Sequence, residues 1–182
     1  MNLLIIKTFI LKNKEKLVKY SMIFGSILIS GIIIYFRNDL VKLQGYGLLG
    51  ILLISILGNA TVVIPAPVIL TAFIGGSVYN PVLIGLIVAL GATIGELTGF
   101  MAGVGGRVAI TDHRHFNKIE RWMTKSGFLT IFILAVIPNP LFDLAGMFAG
   151  ATSYPIKKFL LATFLGKSVK FLIVAFIGYY SF

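Results

Sequence analysis

The chain has 182 residues, of which 58% are hydrophobic and only 12% charged, against ~45–50% and ~25% in an average soluble domain. Six carboxylates beside 15 phenylalanines leave too little polar surface to cover a globule, so the natural solvent is a bilayer. The net charge of +10 does not gather on a soluble basic patch of the kind that binds nucleic acid; it falls between apolar blocks, where membrane topology accounts for it. Cysteine is absent, which excludes disulfides, thiolate metal sites and cysteine nucleophiles.

Residues 1–44 read as a basic amphipathic N-terminus and a first transmembrane helix. Leu3, Ile6 and Ile10 have helical spacing beside Lys7, Lys12, Lys14 and Lys16, the pattern of a membrane-surface helix. Tyr20 to Phe36 is a run of 17 uncharged residues between Lys19 and Arg37. No small-residue cleavage pattern follows it, so it is expected to remain as an anchor. From Leu43 to Gly95 no charge appears over 53 residues, but Pro65-Ala66-Pro67 and Asn80-Pro81 interrupt the run, and helices do not pass through such breaks intact. The piece from Ala66 to Tyr79 measures roughly 21 Å at ~1.5 Å per residue, short of a ~30 Å hydrocarbon core, and is expected to turn back. Pro81 then opens a helix that ends at Gly106-Arg107 and is long enough to span with some tilt.

Between residues 107 and 125, Arg114, Lys118, Arg121 and Lys125 stack on one helical face, with Phe116, Ile119 and Met123 opposite. This is the pattern of an interfacial helix on an anionic cytoplasmic leaflet. From Ser126 to Tyr154 the earlier pattern returns: a short apolar arm, the break Pro138-Asn139-Pro140, and a second short arm. Pro155 opens the last long segment, to Phe182. Val63-Ile64-Pro65-Ala66-Pro67 and Val136-Ile137-Pro138-Asn139-Pro140 match at four of five positions, and Pro81 corresponds to Pro155, so one unit occurs twice.

The expected fold class is therefore an all-α integral membrane protein. Residues 45–182 form one membrane domain, an inverted repeat (about 45–106 and 126–182) of two proline-broken re-entrant hairpins, each followed by a long transmembrane helix. A single complete crossing separates the hairpins, so they enter from opposite faces, and their tips need each other or a water-filled cavity. Twelve basic residues fall on one side and only Arg37 and Lys42 on the other, which sets the N-terminus in the cytoplasm of a multi-pass cell-membrane protein.

Glu96 lies deep in the helix opened by Pro81, where a lone carboxylate costs at least ~2.5–3.5 kcal/mol. The repeat offset at the prolines puts Lys170 opposite it, with Lys167 one turn away. A polar site in a transport path and a structural ion pair both account for such a pairing. Gly91, Gly95, Gly99 and Gly103 form a stripe where another backbone can approach closely. Asp143, three residues after Pro140, is placed to cap the second arm and, beside a cavity, to titrate. No nucleophile-elbow, zincin or phosphate-loop motif occurs, so neither an enzyme nor a metal or other cofactor is expected.

Two stretches, Gly91-Ala-Thr-Ile-Gly95-Glu96-Leu97 and Ile137-Pro138-Asn139-Pro140-Leu141-Phe142-Asp143-Leu144-Ala145-Gly146, the second followed by Gly166-Lys167, resemble the VTT domain of the DedA superfamily, most closely its vacuole membrane protein branch. The resemblance covers roughly residues 45–180. It implies re-entrant hairpins in inverted repeats and an activity in lipid movement, as a scramblase or flippase of phospholipid or polyprenyl phosphate, and it directs attention to Glu96, Asp143 and Lys167. The chain departs from the typical bacterial pattern: the first break has no acidic residue nearby, and Asn139 stands among prolines without an arginine. The expected function is lipid transport. A proton-coupled carrier of a small soluble substrate and a non-transporting membrane scaffold are the alternatives.

Overall fold

The computed structural model describes residues 47–60, 66–106, 114–138 and 141–181. The expected N-terminal helices and the break residues Pro65, Asn139 and Pro140 lie outside the described residues. Among those described, seven α-helices account for the fold and there is no strand: α1 (Gly47–Asn59), α2 (Ala66–Val78), α3 (Pro81–Gly95), α4 (Leu97–Gly106), α5 (Arg114–Val136), α6 (Leu141–Ala151) and α7 (Ile156–Ser181).

Local chemistry sets the ends. Asn80 accepts hydrogen bonds through Oδ1 from the N–H groups of Val82 (2.9 Å) and Leu83 (3.2 Å), while Pro81 fills the first helical position, where its missing N–H costs nothing. The carbonyl of Pro155 accepts from the Phe159 N–H at 3.0 Å and so opens α7. At the end of α6 the chain turns through Ser153 at φ 58, and the Tyr154 N–H returns to the Ala149 carbonyl at 2.8 Å. Inside α5, Ser126 has φ −159 and ψ 75, which divides the helix into a basic first half and an apolar second half. The Thr130 hydroxyl bridges that kink to the Trp122 carbonyl at 3.0 Å.

α3 and α4 together, Pro81–Gly105, and α7 are each long and apolar enough to cross a membrane. They run antiparallel, since Gly85 meets Leu172 while the rings of Phe100 and Phe159 lie 5.0 Å apart. The shorter helices pack around this pair, and glycine makes the approach possible. A Cβ on Gly76 would overlap the carbonyl of Ala175, and one on Gly178 that of Phe73, where α2 crosses α7. A Cβ on Gly150 would overlap the carbonyl of Phe100, and one on Gly103 that of Met147, where α6 crosses α4. Lipid chains are as apolar as leucine, so helices in a bilayer associate through such close contacts rather than through exclusion of water.

The exposed surface is apolar to match. Leu161, Leu165, Val169, Ile173 and Ile177 form a bare stripe along α7, and Val82, Leu86, Leu90 and Ile94 form another along α3. A soluble protein rarely exposes such patches.

The structure bears out one expectation and corrects another. The helix opened by Pro81 runs on to Gly105, with only a relaxed turn at Glu96, which has φ −65 and ψ −14 and keeps the helical bonds from its own N–H to Ala92 and from the Phe100 N–H to its carbonyl. Glycines on both sides of Glu96 weaken the helix there, and the Thr98 hydroxyl competes for the Gly95 carbonyl at 2.9 Å. Met123, expected on a lipid-facing side, is instead buried in a core with Ile131, Leu134, Phe148 and Phe159. The basic half of α5 thus turns this residue into the protein, while Arg121, Trp122 and Lys125 stay exposed.

Candidate functional site

Near the middle of α7 the Lys167 side chain is only 2% exposed. Its Nζ donates to Glu96 Oε1 at 2.6 Å and to Asn59 Oδ1 at 2.7 Å, and lies 5.0 Å from the centre of the Phe142 ring. Three other parts of the chain therefore converge on one ammonium: the last residue of α1, the junction of α3 and α4, and the first turn of α6. Asn59 is held in turn by its Nδ2, which donates to the Ser55 carbonyl at 3.1 Å. The Thr98 hydroxyl donates to the Ala60 carbonyl at 2.8 Å and fastens α4 to the same tip.

A buried cation so arranged has its charge balanced and two of its three donors committed, and the face of the Phe142 ring lies against it. Glu96 is 5% exposed and belongs to the same closed arrangement.

The expected partner of Glu96, Lys170, is not the one bonded to it. Its Nζ lies 4.9 Å from the Phe171 ring centre. The reason is register. Gly91 packs under Leu52 and Ser55 much as Gly166 packs under Phe132 and Ala135, so the long helices correspond one residue further along than their opening prolines, and Gly95 is the counterpart of Lys170. Asp143 stands in the first turn of α6, half-buried, in electrostatic reach of Glu96, Lys167 and Lys170, with no side-chain bond to a described residue.

The glycine stripe divides between partners. Gly91 and Gly95 lie under α1 and Gly103 under α6, whereas a Cβ on Gly99 would meet nothing within 4 Å among the described residues. Pro67 lies in the first turn of α2, and Pro138 follows α5 directly. Arg114 and Lys118 belong to the first half of α5, which also carries the exposed Arg121 and Lys125. Among the described residues no three metal-ligating side chains cluster.

Sequence reasoning missed Asn59, Thr98 and Phe142. Asn59 had a signal: it is the one side-chain amide between Gly47 and Ala60, and an amide inside a membrane segment needs a partner.

A bundle of apolar-surfaced helices around an interior ion pair defines a multi-helix membrane protein. The chain belongs to the VTT domain family, whose model matches residues 64–180. It is 42% identical over 78 residues to vacuole membrane protein KMS1 of Arabidopsis thaliana, a match covering 41% of this chain and 16% of that protein. It is 48% identical over 52 residues to the vacuole membrane protein 1 homolog of Dictyostelium discoideum, covering 29% and 13%. Human vacuole membrane protein 1 is 43% identical over 51 residues, covering 28% and 13%. The matches thus span less than a fifth of the length of these relatives. No solved structure matches the chain.

Proposed function

We propose that the chain is a lipid transporter or scramblase. Phospholipid or polyprenyl-phosphate headgroups would pass between leaflets along a polar path at the hairpin tips, while acyl chains stay in the bilayer and no covalent bond changes. The observation that carries this reading is the place of the Glu96–Lys167 pair: midway along two helices long enough to span, and touched by the tip residues Asn59 and Phe142.

Each hairpin begins and ends at one end of the bundle. Gly47 faces the Tyr79 hydroxyl and Gly127 faces the Tyr154 ring. The first pair lies toward the C-terminal end of α7, where Gly76 crosses Ala175; the second lies toward its start. This supports two re-entrant hairpins entering from opposite faces as an inverted repeat, and the paired crossings of α2 on α7 and α6 on α4 support it further. Backbone groups at tips in mid-membrane need polar company, which is also what a translocating headgroup needs. The end bearing Arg121, Lys125, Lys157 and Lys158 is proposed to be cytoplasmic, in a cell membrane.

A specific observation favours a second reading. The pair is closed at 2.6 Å, which suits a scaffold that only locks its helices. Protein reconstituted in liposomes with an acyl-labelled fluorescent phospholipid separates the two. An impermeant quencher should extinguish inner-leaflet signal faster than in empty vesicles. A rate equal to that of empty vesicles, with any of the lipids above, favours the scaffold. Uptake of a soluble solute driven by a proton gradient, without lipid movement, would favour a proton-coupled carrier.

A further inference from the structure

Four ionisable side chains lie in electrostatic reach of one another about the middle of α7, and among the described residues only two of them are paired. Glu96 and Lys167 neutralise one another. Asp143 and Lys170 are left over, one acid and one base. Neither makes a hydrogen bond or ion pair with a described residue, yet each lies in electrostatic reach of the other and of the closed pair.

Their placement rests on the surrounding contacts. The Phe142 ring against Lys167 Nζ fixes the first turn of α6, and with it Asp143, beside the middle of α7. Lys170 stands one turn beyond Lys167, and Thr163, Lys167 and Lys170 share a helix face. The Thr163 hydroxyl on that face is fully buried and has no hydrogen-bond partner among the described residues. The tips therefore hold a separated positive and negative charge with an uncommitted hydroxyl on the same face, in a site whose total charge is zero.

That arrangement discriminates between ligands. A group with only negative charge would satisfy Lys170 but leave the Asp143 carboxylate unpaired and repelled. A group carrying both charges satisfies the two together, and leaving one buried charge alone is the costly outcome. We propose that Asp143 and Lys170 form a receptor for a zwitterionic headgroup, Lys170 and the Thr163 hydroxyl taking the phosphodiester and Asp143 the ammonium. As a transport specificity this rests on the lipid-transport reading; as a binding site it does not.

The test uses the full chain. In liposomes, acyl-labelled phosphatidylcholine and acyl-labelled phosphatidylglycerol of equal chain length are compared by quenching. The zwitterionic lipid should cross about tenfold faster, the scale of one charged contact. Asp143→Asn should erase the preference by slowing phosphatidylcholine far more than phosphatidylglycerol, and Asp143→Glu should restore it. Lys170→Gln should slow both.

Equal rates for the two lipids in the wild type, or equal slowing of both by Asp143→Asn, overturn the specificity. If neither lipid moves, the transport reading falls, and the receptor is judged by binding alone. For that arm, dihexanoyl phosphatidylcholine should raise the Tm of the detergent-solubilised protein more than dihexanoyl phosphatidylglycerol does. Asp143→Asn should remove the difference and Asp143→Glu should keep it. No difference in the wild type overturns the receptor. A variant that misfolds is recognised by its own Tm without lipid, and the wild-type comparison then decides.

Discussion

Glu96 bonds Lys167 rather than Lys170 for a geometric reason. With Gly85 opposite Leu172 and Phe100 opposite Phe159, Glu96 falls about level with Thr163. Helical side chains lean toward the N-terminus, so Lys167 reaches back one turn to that level, while Lys170 starts a turn too far away. Lys167→Met should therefore cost about 3–5 kcal/mol by stranding the Glu96 carboxylate, and the Glu96→Gln, Lys167→Met double variant should recover part of it. Lys170→Met should cost less than Lys167→Met, because no carboxylate loses a bond to it. Thermal unfolding in detergent measures all three, and strictly additive losses at 96 and 167 would contradict the pairing. Asn59→Leu should lose about 1.5–3 kcal/mol, the range for a hydrogen bond to a charged group; a neutral result would mean that Asn59 does not hold the ammonium.

At the scale of elements, much of the fold was legible because proline and glycine act locally. Pro81 and Asn80 fix the start of α3 whatever surrounds them, and the short arms around the two breaks follow from length alone. The partner of Glu96 was not legible in the same way. It depends on how α3 and α7 slide past one another, which is set by close contacts between them such as Gly85 against Leu172, and the prolines mark only the helix starts. Asn59 was hidden because it carries no charge, and Met123 because an amphipathic face does not say whether lipid or protein covers it. The stripe makes the glycine argument testable. Gly103→Ala and Gly150→Ala place a methyl on a facing carbonyl and should each destabilise by about 1–3 kcal/mol, whereas Gly99→Ala meets open space among the described residues and should be neutral or stabilising by up to about 1 kcal/mol. Equal losses at 99 and 103, read as the shift in Tm, would remove the distinction between the two positions.

For the whole molecule, the decisive property is which ends share a side of the membrane. α7 covers 26 residues, roughly 39 Å at ~1.5 Å per residue, so its two ends cannot lie on one side if it is upright in a ~30 Å core. Tyr79 belongs with the far end of α7, through Gly76 at Ala175, while Ser153 and Lys125 belong with its start, through Tyr154 at Gly127. The chain has no cysteine of its own, so single introduced cysteines report cleanly. With an impermeant thiol reagent on intact cells, Tyr79→Cys and Tyr180→Cys should label together from outside, and Ser153→Cys and Lys125→Cys only after permeabilisation. The basic end is the one expected to face the cytoplasm. Reversal of all four would overturn the orientation and leave the hairpins standing, because the two turns would still lie on opposite faces. Labelling of Tyr79→Cys and Ser153→Cys from the same side would contradict two hairpins entering from opposite faces. A polar path could not then be assembled from two tips meeting at Lys167, and the buried pair would be left as a lock between helices.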